Sequence, residues 1–251
     1  IIHNLANISQ KIKVKEYGVP LLVFNSLSWE RTDLVKIGVT KDMQPPLEVI
    51  DGEGSMLPSQ VENRQLMFIA ENIPPLGYKV FYIKEGGKET SAPAPHGYSL
   101  ENDYFILKAD QKSGTISSLY DKKNARYVLK DIIGNEALPR VFPLKLMDIS
   151  SEGPSTQVVM NNIMQILYEE PHSQSSWIIG PVAKTVNLTQ SSEISINAYG
   201  PVVQSLKIIK RFNKSTITQE ICLYRNLEKI DFNTTIDWNE VSDNNTPAPM
   251  L

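Results

Sequence analysis

Between Tyr17 and Lys84 the apolar residues fall in short runs set off by turn formers, and several runs alternate with the two-residue period of a β-strand. Leu21-Leu22-Val23-Phe24, Leu34 to Val39, Gln65 to Ala70 and Tyr78 to Ile83 each read as a strand. Pro45-Pro46, Gly52-Glu53-Gly54 and Pro74-Pro75 lie between them and mark turns and strand ends. The simplest closure of such strands is a small antiparallel β-sandwich over residues 17–84. The opening segment is patterned differently. Ile1, Leu5, Ile8 and Ile12 recur at helical spacing with no Pro or Gly between them, which predicts a helix tail over residues 1–16. So short a helix is unstable without neighbours, and its partner helices are expected upstream.

Residues 85–95 combine Gly86-Gly87 with Pro93-Ala94-Pro95 and carry no large apolar side chain. This is linker composition, flexible at one end and extended at the other, and it sets the expected domain boundary. Short strands return over residues 96–251. Tyr104 to Leu107 leads through Lys112-Ser113-Gly114, a hairpin signal, into Thr115 to Tyr120, and Asp121 to Asn124 marks the next turn. Glu193 to Ile196, Val202 to Ile209 and Ser215 to Ile221 follow. In the second of these, Val203, Ser205, Lys207 and Ile209 share one face and Gln204, Leu206, Ile208 and Lys210 the other. Neither face is cleanly polar, which suits a strand packed on both sides. The expected fold class is all-β, a small sandwich followed by a larger one.

The composition of the 251 residues, 41% hydrophobic and 21% charged, is that of a globular chain with a real core. A formal net charge of -3 argues against nucleic acid, whose phosphates call for a basic face. No apolar run approaches the ~20 residues of a membrane span, so no membrane partner is expected. The N-terminus has no charged region followed by an apolar stretch, and the single cysteine, Cys222, permits no intrachain disulfide. The expected location is the cytoplasm.

The three histidines, His3, His96 and His172, lie in separate segments and form no short-spaced ligand pair, so no zinc site is expected within the chain. No Gly-x-Ser-x-Gly elbow occurs, and Gly86-Gly87 opens no helix that would cradle a phosphate. Carboxylates are the natural tools of glycoside hydrolysis, and Glu169-Glu170, Asp121, Asp231, Asp237 and Glu240 are available. Alternation over Ile230 to Trp238 puts Phe232, Thr234 and Ile236 on one face and Asp231, Asn233, Thr235 and Asp237 on the other. That pattern reads as a half-exposed strand with a polar outer face, and it identifies no catalytic pair. The segment Glu169 to Trp177 is the best local candidate for binding. It offers polar groups, His172 and the ring of Trp177, as a sugar site would; an ordinary loop whose Trp177 is anchored through Ile178-Ile179 is the favoured reading, since a Trp is usually largely buried.

One colinear series remains: Val23 to Arg31 (VFNSLSWER), Leu57-Pro58-Ser59-Gln60-Val61, Ile73-Pro74-Pro75-Leu76-Gly77-Tyr78 and Leu100 to Tyr104. Gly114-Thr115-Ile116, Leu119 to Lys122, Ile230-Asp231-Phe232 and Ile236 to Glu240 continue it. In order and spacing it resembles the β-rich C-terminal half of the α-mannosidases of glycoside hydrolase family 38. The stretch Glu170-Pro171-His172 with Ser176 to Gly180 resembles the bacterial branch. The resemblance implies a large domain like galactose mutarotase. It places the zinc ion and the aspartate nucleophile of a retaining mechanism in an upstream barrel, with no counterpart in this chain. The implied partners are this chain's own N-terminal catalytic barrel and a mannose-containing glycan, and a homo-oligomer is in keeping with the family. No catalytic residue carries over, and His172 and Trp177 are the expected substrate contacts. The chain departs from the family after Glu240, where Val241 to Pro247 is polar and breaker-rich instead of forming another apolar strand. The expected activity is therefore that of an inactive accessory portion. The alternatives are a stand-alone carbohydrate-binding module with Trp177 as platform, and a mutarotase-like epimerase pairing His172 with Glu169.

Overall fold

The computed structural model describes residues 10–87, 95, 97–129, 162–170, 178–190, 193–241 and 249–251. Every regular element among them is a β-strand. In chain order these are β1 (Val19–Phe24), β2 (Arg31–Gly38), β3 (Leu47–Ile50), β4 (Met56–Leu57), β5 (Ser59–Glu62) and β6 (Gln65–Ile73). Then come β7 (Tyr78–Glu85), β8 (Ser99–Glu101), β9 (Phe105–Ala109), β10 (Ile116–Asp121), β11 (Arg126–Leu129) and β12 (Gln165–Glu169). The last are β13 (Val182–Asn187), β14 (Glu193–Tyr199), β15 (Val203–Phe212), β16 (Ser215–Tyr224), β17 (Ile230–Asp237) and β18 (Pro249–Met250). All pairings are antiparallel.

The predicted helix tail is corrected where it can be seen. Residues 10–16 form a turn and irregular backbone, and residues 1–9 lie outside the described residues. The stripe finds no helix to pack on among the described residues. Instead the Lys15 N–H donates to the Tyr82 hydroxyl at 2.8 Å and its ammonium to Gly52 O at 2.6 Å, which holds the segment against the first sheet.

The first half closes as two sheets, β1-β7-β3-β4 and β2-β6-β5. Leu47, Val49, Leu66, Phe68, Ala70, Phe81 and Ile83 fill the space between them, with Phe68 and Phe81 tilted at a centroid distance of 4.9 Å. In the second half, β11-β10-β9-β8 lies over β14-β15-β16-β17. Leu100, Leu107 and Ile116 of the former meet Leu206, Ile208, Ile221 and Leu223 of the latter. The predicted hairpin at 112–114 is formed. Asp110 Oδ1 accepts the N–H groups of Lys112 and Ser113, and Gly114 supplies the positive φ of 62°. A third sheet, β13-β12-β18, brings the C-terminal residues back to β12.

β6 has two buried faces. Leu66, Phe68 and Ala70 point into the first sandwich. Met67 and Ile69, one residue out of phase, join Ala198, Val202, Val203, Cys222, Tyr224 and Leu227 of the second half in a separate apolar cluster. β15 and β16 are two-sided in the same way: Leu206 and Leu223 face the larger sandwich, Val203 and Cys222 the cluster with β6. The expectation of a strand packed on both sides is met, with the second layer supplied by the first half of the chain. Polar contacts border this junction. Gln60 Oε1 accepts the N–H groups of Val202 at 3.2 Å and Val203 at 2.9 Å, and Asn226 Nδ2 donates to Glu71 Oε1 at 3.2 Å. Lys229 bridges Asp33 at 3.4 Å and Asp231 at 3.2 Å. Partial desolvation raises the Asp33 carboxyl, but the Leu34 N–H and the Lys229 and Arg31 cations outweigh it and hold the group below its ordinary value.

β17 corrects a second expectation. Its face carrying Phe232 and Ile236 is exposed rather than buried. β17 is the outermost strand of its sheet in hydrogen-bonding order, and the apolar layer over β15 and β16 reaches only Ile230 of it.

Candidate functional site

His172 and Trp177 lie outside the described residues, as do His3 and His96. The base of the candidate loop is described. β12 and β13 form a hairpin in which Tyr168 faces Lys184 and Glu169 faces Val182, with a register shift between the two pairs. Beyond it the Glu170 N–H donates to Pro181 O at 2.8 Å, and the buried Glu169 accepts the Gly180 N–H at 2.8 Å. Glu169 thus ties the two ends of the connection together, a structural use of its carboxylate. Ile178 and Ile179 are both exposed, so they do not anchor the loop in the core.

The other candidate carboxylates are separated and individually engaged. Asp231 and Asp237 share one face of β17 six residues apart, which is about 20 Å along a strand. A retaining pair needs about 5 Å and an inverting pair less than about 10 Å. Asp231 faces Lys229, and Asp237 accepts from Asn239 Nδ2 at 3.0 Å. Asp121 accepts from the Asn124 side chain and backbone, with Arg126 at 3.7 Å, and these donors hold its carboxyl below the ordinary value. Glu240 closes the β15–β16 turn, accepting from Ser215 Oγ at 2.6 Å, Asn213 Nδ2 at 3.0 Å and the Lys214 N–H at 3.1 Å. The Ser215 hydroxyl, the Asn213 amide and the Lys214 N–H lower its pKa, whereas a general acid needs a raised one.

Because the folded pKa of Glu240 lies below its ordinary 4.5, its stabilising contribution is full above that value and lost as pH falls through the folded pKa. Glu240→Gln removes this dependence. The stability difference between the two proteins, from urea titrations across pH, is expected to be constant above about pH 5 and to shrink below it. A difference that stays flat down to pH 3 would show that the carboxylate does not hold the turn.

Burial and the Glu220 carboxylate push the Cys222 thiol up to about 11, so it stays protonated and is no nucleophile at neutral pH. Among the described residues no three His, Cys, Asp or Glu side chains come close enough to hold a metal ion. The described residues therefore do not fit a zinc site, and no step can be routed through zinc on them. Open clefts lie among the described residues. One of about 330 Å³ lies beside the 51–53 turn and Lys79. Another of about 310 Å³ lies between the 101–103 and 200–204 segments. In the second, Lys122 pairs with Glu101 at 2.6 Å and donates to Asn102 O at 2.7 Å, and among the described residues no aromatic ring lines the wall as a sugar platform would.

What sequence reasoning missed is the junction. Its signal was present in Leu66 to Ala70, an unbroken run that is apolar on both faces.

Two comparisons bear on identity. In an alignment of 238 residues that covers 90% of it, the chain is 24% identical to the lysosomal alpha-mannosidase of Dictyostelium discoideum. The chain covers 22% of that protein, so it spans about a fifth of the length of the curated relative it matches. Residues 145–246 match the family model described as glycosyl hydrolases family 38 C-terminal domain. Over residues 145–246 the chain is therefore similar to the C-terminal domain of glycosyl hydrolases family 38.

Proposed function

We propose that this chain is the non-catalytic β portion of a zinc-dependent, retaining α-mannosidase that releases terminal α-linked mannose. The observation that carries the reading is the family 38 C-terminal match joined to an alpha-mannosidase relative along nearly the whole chain. The engaged carboxylates support it: Glu169, Asp121 and Glu240 each hold a turn or hairpin together. In this reading the catalytic barrel belongs to the same polypeptide, upstream, and supplies the zinc and the nucleophile. The chain's own part is to brace that barrel, and His172 and Trp177 contact the mannose-containing glycan from the β12–β13 connection. The bacterial branch, the cytoplasmic location and a homo-oligomeric state belong to the same proposal. The boundary at residues 85–95 also belongs to it, with the two halves joined by the β6 cluster as well as by the linker.

The test is hydrolysis of an aryl α-mannoside with added zinc by this chain and by its full open reading frame. Activity in the longer protein alone is the expected result. Activity in this chain would mean that a complete site exists on it, and silence in both would turn the reading to a binding or scaffolding module.

A further inference from the structure

The cleft of about 310 Å³ between the 101–103 and 200–204 segments opens beside the outer face of the second sandwich. Leu100 of β8, Leu107 of β9 and Leu119 of β10 turn inward. Their chain neighbours Glu101, Ile106 and Tyr120 turn outward, and the register sets them with Tyr127 of β11 in one row across the sheet. At ~4.8 Å per strand that row is roughly 14 Å long. At its far end Tyr127 is 54% exposed and meets Tyr120 edge to face, with a centroid distance of 5.0 Å. Lys122, two residues beyond Tyr120, joins the row to the cleft, because its ammonium reaches Glu101 Oε1 at 2.6 Å. The charged lining of the cleft is balanced, Glu101 and Asp103 against Lys122 and Arg225. Asp103 Oδ2 accepts the Asn226 N–H at 3.3 Å, and the Arg225 N–H donates to Val202 O at 3.0 Å, which fixes both residues at the wall. Among the described residues neither the Asp103 carboxylate nor the Arg225 guanidinium enters an ion pair.

We propose that this cleft and the adjoining tyrosine row bind a neutral oligosaccharide, one pyranose in the cleft on Asp103 and Arg225 and further units along the row to Tyr127. That the sugar is mannose-containing rests on the mannosidase reading. The site itself does not, and it is separate from the contact assigned to His172 and Trp177. The balanced charge selects the ligand class. A phosphate or carboxylate would meet Glu101 and Asp103, and a cation would meet Lys122 and Arg225. A sugar hydroxyl both donates and accepts, so a carboxylate and a guanidinium hold neighbouring hydroxyls at the same time. The cleft is at the small end of the ~300–1,000 Å³ typical of ligand sites, which suits a single ring. Tyr127 supplies beside the cleft what its wall lacks, an aromatic body for the C–H face of a sugar and a polar tip left in water. A peptide strand added to the edge of β8 is disfavoured: β8 has three residues, and the Glu101 N–H is already given to Gln204 Oε1 at 2.9 Å.

The test is titration of the nitrogen-15-labelled chain with α-linked mannotriose, followed by amide chemical shifts. Saturable shifts are expected at Asp103, Gly200, Arg225 and Tyr127. The dissociation constant should change by less than about twofold between low and ~0.5 M salt, since the ligand carries no charge. Arg225→Ala should weaken binding at least about tenfold, the usual cost of a hydrogen bond from a charged group. Tyr127→Ala should weaken it at least about threefold. Both side chains are exposed, so an unchanged melting temperature checks that each variant is folded. Absence of saturable shifts, or binding that both folded variants leave intact, would overturn the proposal. Displacement of the sugar by inorganic phosphate would overturn it in favour of an anion site. Shifts confined to residues 178–181 would overturn it in favour of the β12–β13 connection. A longer protein that hydrolyses the aryl mannoside, with no shifts at the cleft, would keep the mannosidase reading and remove this site. Saturable binding at the cleft in a chain whose longer protein is inactive would do the reverse.

Discussion

Phe68→Ala is expected to lower the stability of the chain by about 3–5 kcal/mol, the range for truncating a fully buried aromatic. Phe68 is completely buried at the centre of β6, between the two sheets of the first sandwich. Its ring meets Phe81 at a centroid distance of 4.9 Å, so the truncation removes an aromatic pair along with the buried area. The neighbours Val49, Leu66 and Ile83 stand on paired strands that cannot close over the hole without breaking register. Urea denaturation followed by far-UV circular dichroism measures the loss. Phe68→Leu, which retains most of the volume, should lose well under half as much. A loss below about 1 kcal/mol for the alanine variant would mean that the sheets do not pack on this ring.

Ile69→Asp acts one residue later and on the opposite face, and the expected result differs in kind. The new carboxylate would enter the cluster of Met67, Ala198, Val203, Tyr224 and Leu227 that joins the two halves. Burying an unpaired charge costs at least about 3 kcal/mol, and the halves can avoid that cost by parting. A single cooperative transition in the parent chain should therefore become two in the variant. Burial raises the folded pKa of an introduced aspartate above its unfolded value of about 3.9. The damage is then full above the folded pKa and relieved as pH falls through it. Differential scanning calorimetry at neutral pH and near pH 4 reads both effects. One transition with an unchanged midpoint would show that Met67 and Ile69 do not couple the halves.

The two substitutions differ because a strand turns successive side chains to opposite faces, so neighbours in sequence serve different cores. The sequence shows six uninterrupted residues from Gln65 to Ala70 in a strand-like run, without showing which face meets which partner. The same limit applies to the candidate site. The acids of the 169–177 segment were visible as a polar loop with a ring nearby. That Glu169 bonds back to Gly180 across the hairpin depends on the pairing of β12 with β13, residues about a dozen apart.

Local patterns determined much of this protein. The β-period of Val203 to Phe212 and Ser215 to Tyr224, and the turn at Asp110 to Gly114, follow from side-chain alternation and preferred backbone angles. Each requires only residues adjacent in the chain, so the sequence alone determined the all-β class and most long strands. The helical spacing of Ile1 to Ile12 was local too, and residues 10–16 are not helical, because so short a helix depends on a partner that spacing cannot supply. Only the tertiary structure decided that β6 has a core on each side, that β17 leaves Phe232 and Ile236 uncovered, and that the 101–103 and 200–204 segments meet. Burial and hydrogen-bond satisfaction at those positions are fixed by segments distant in sequence, whose meeting is a property of the whole fold.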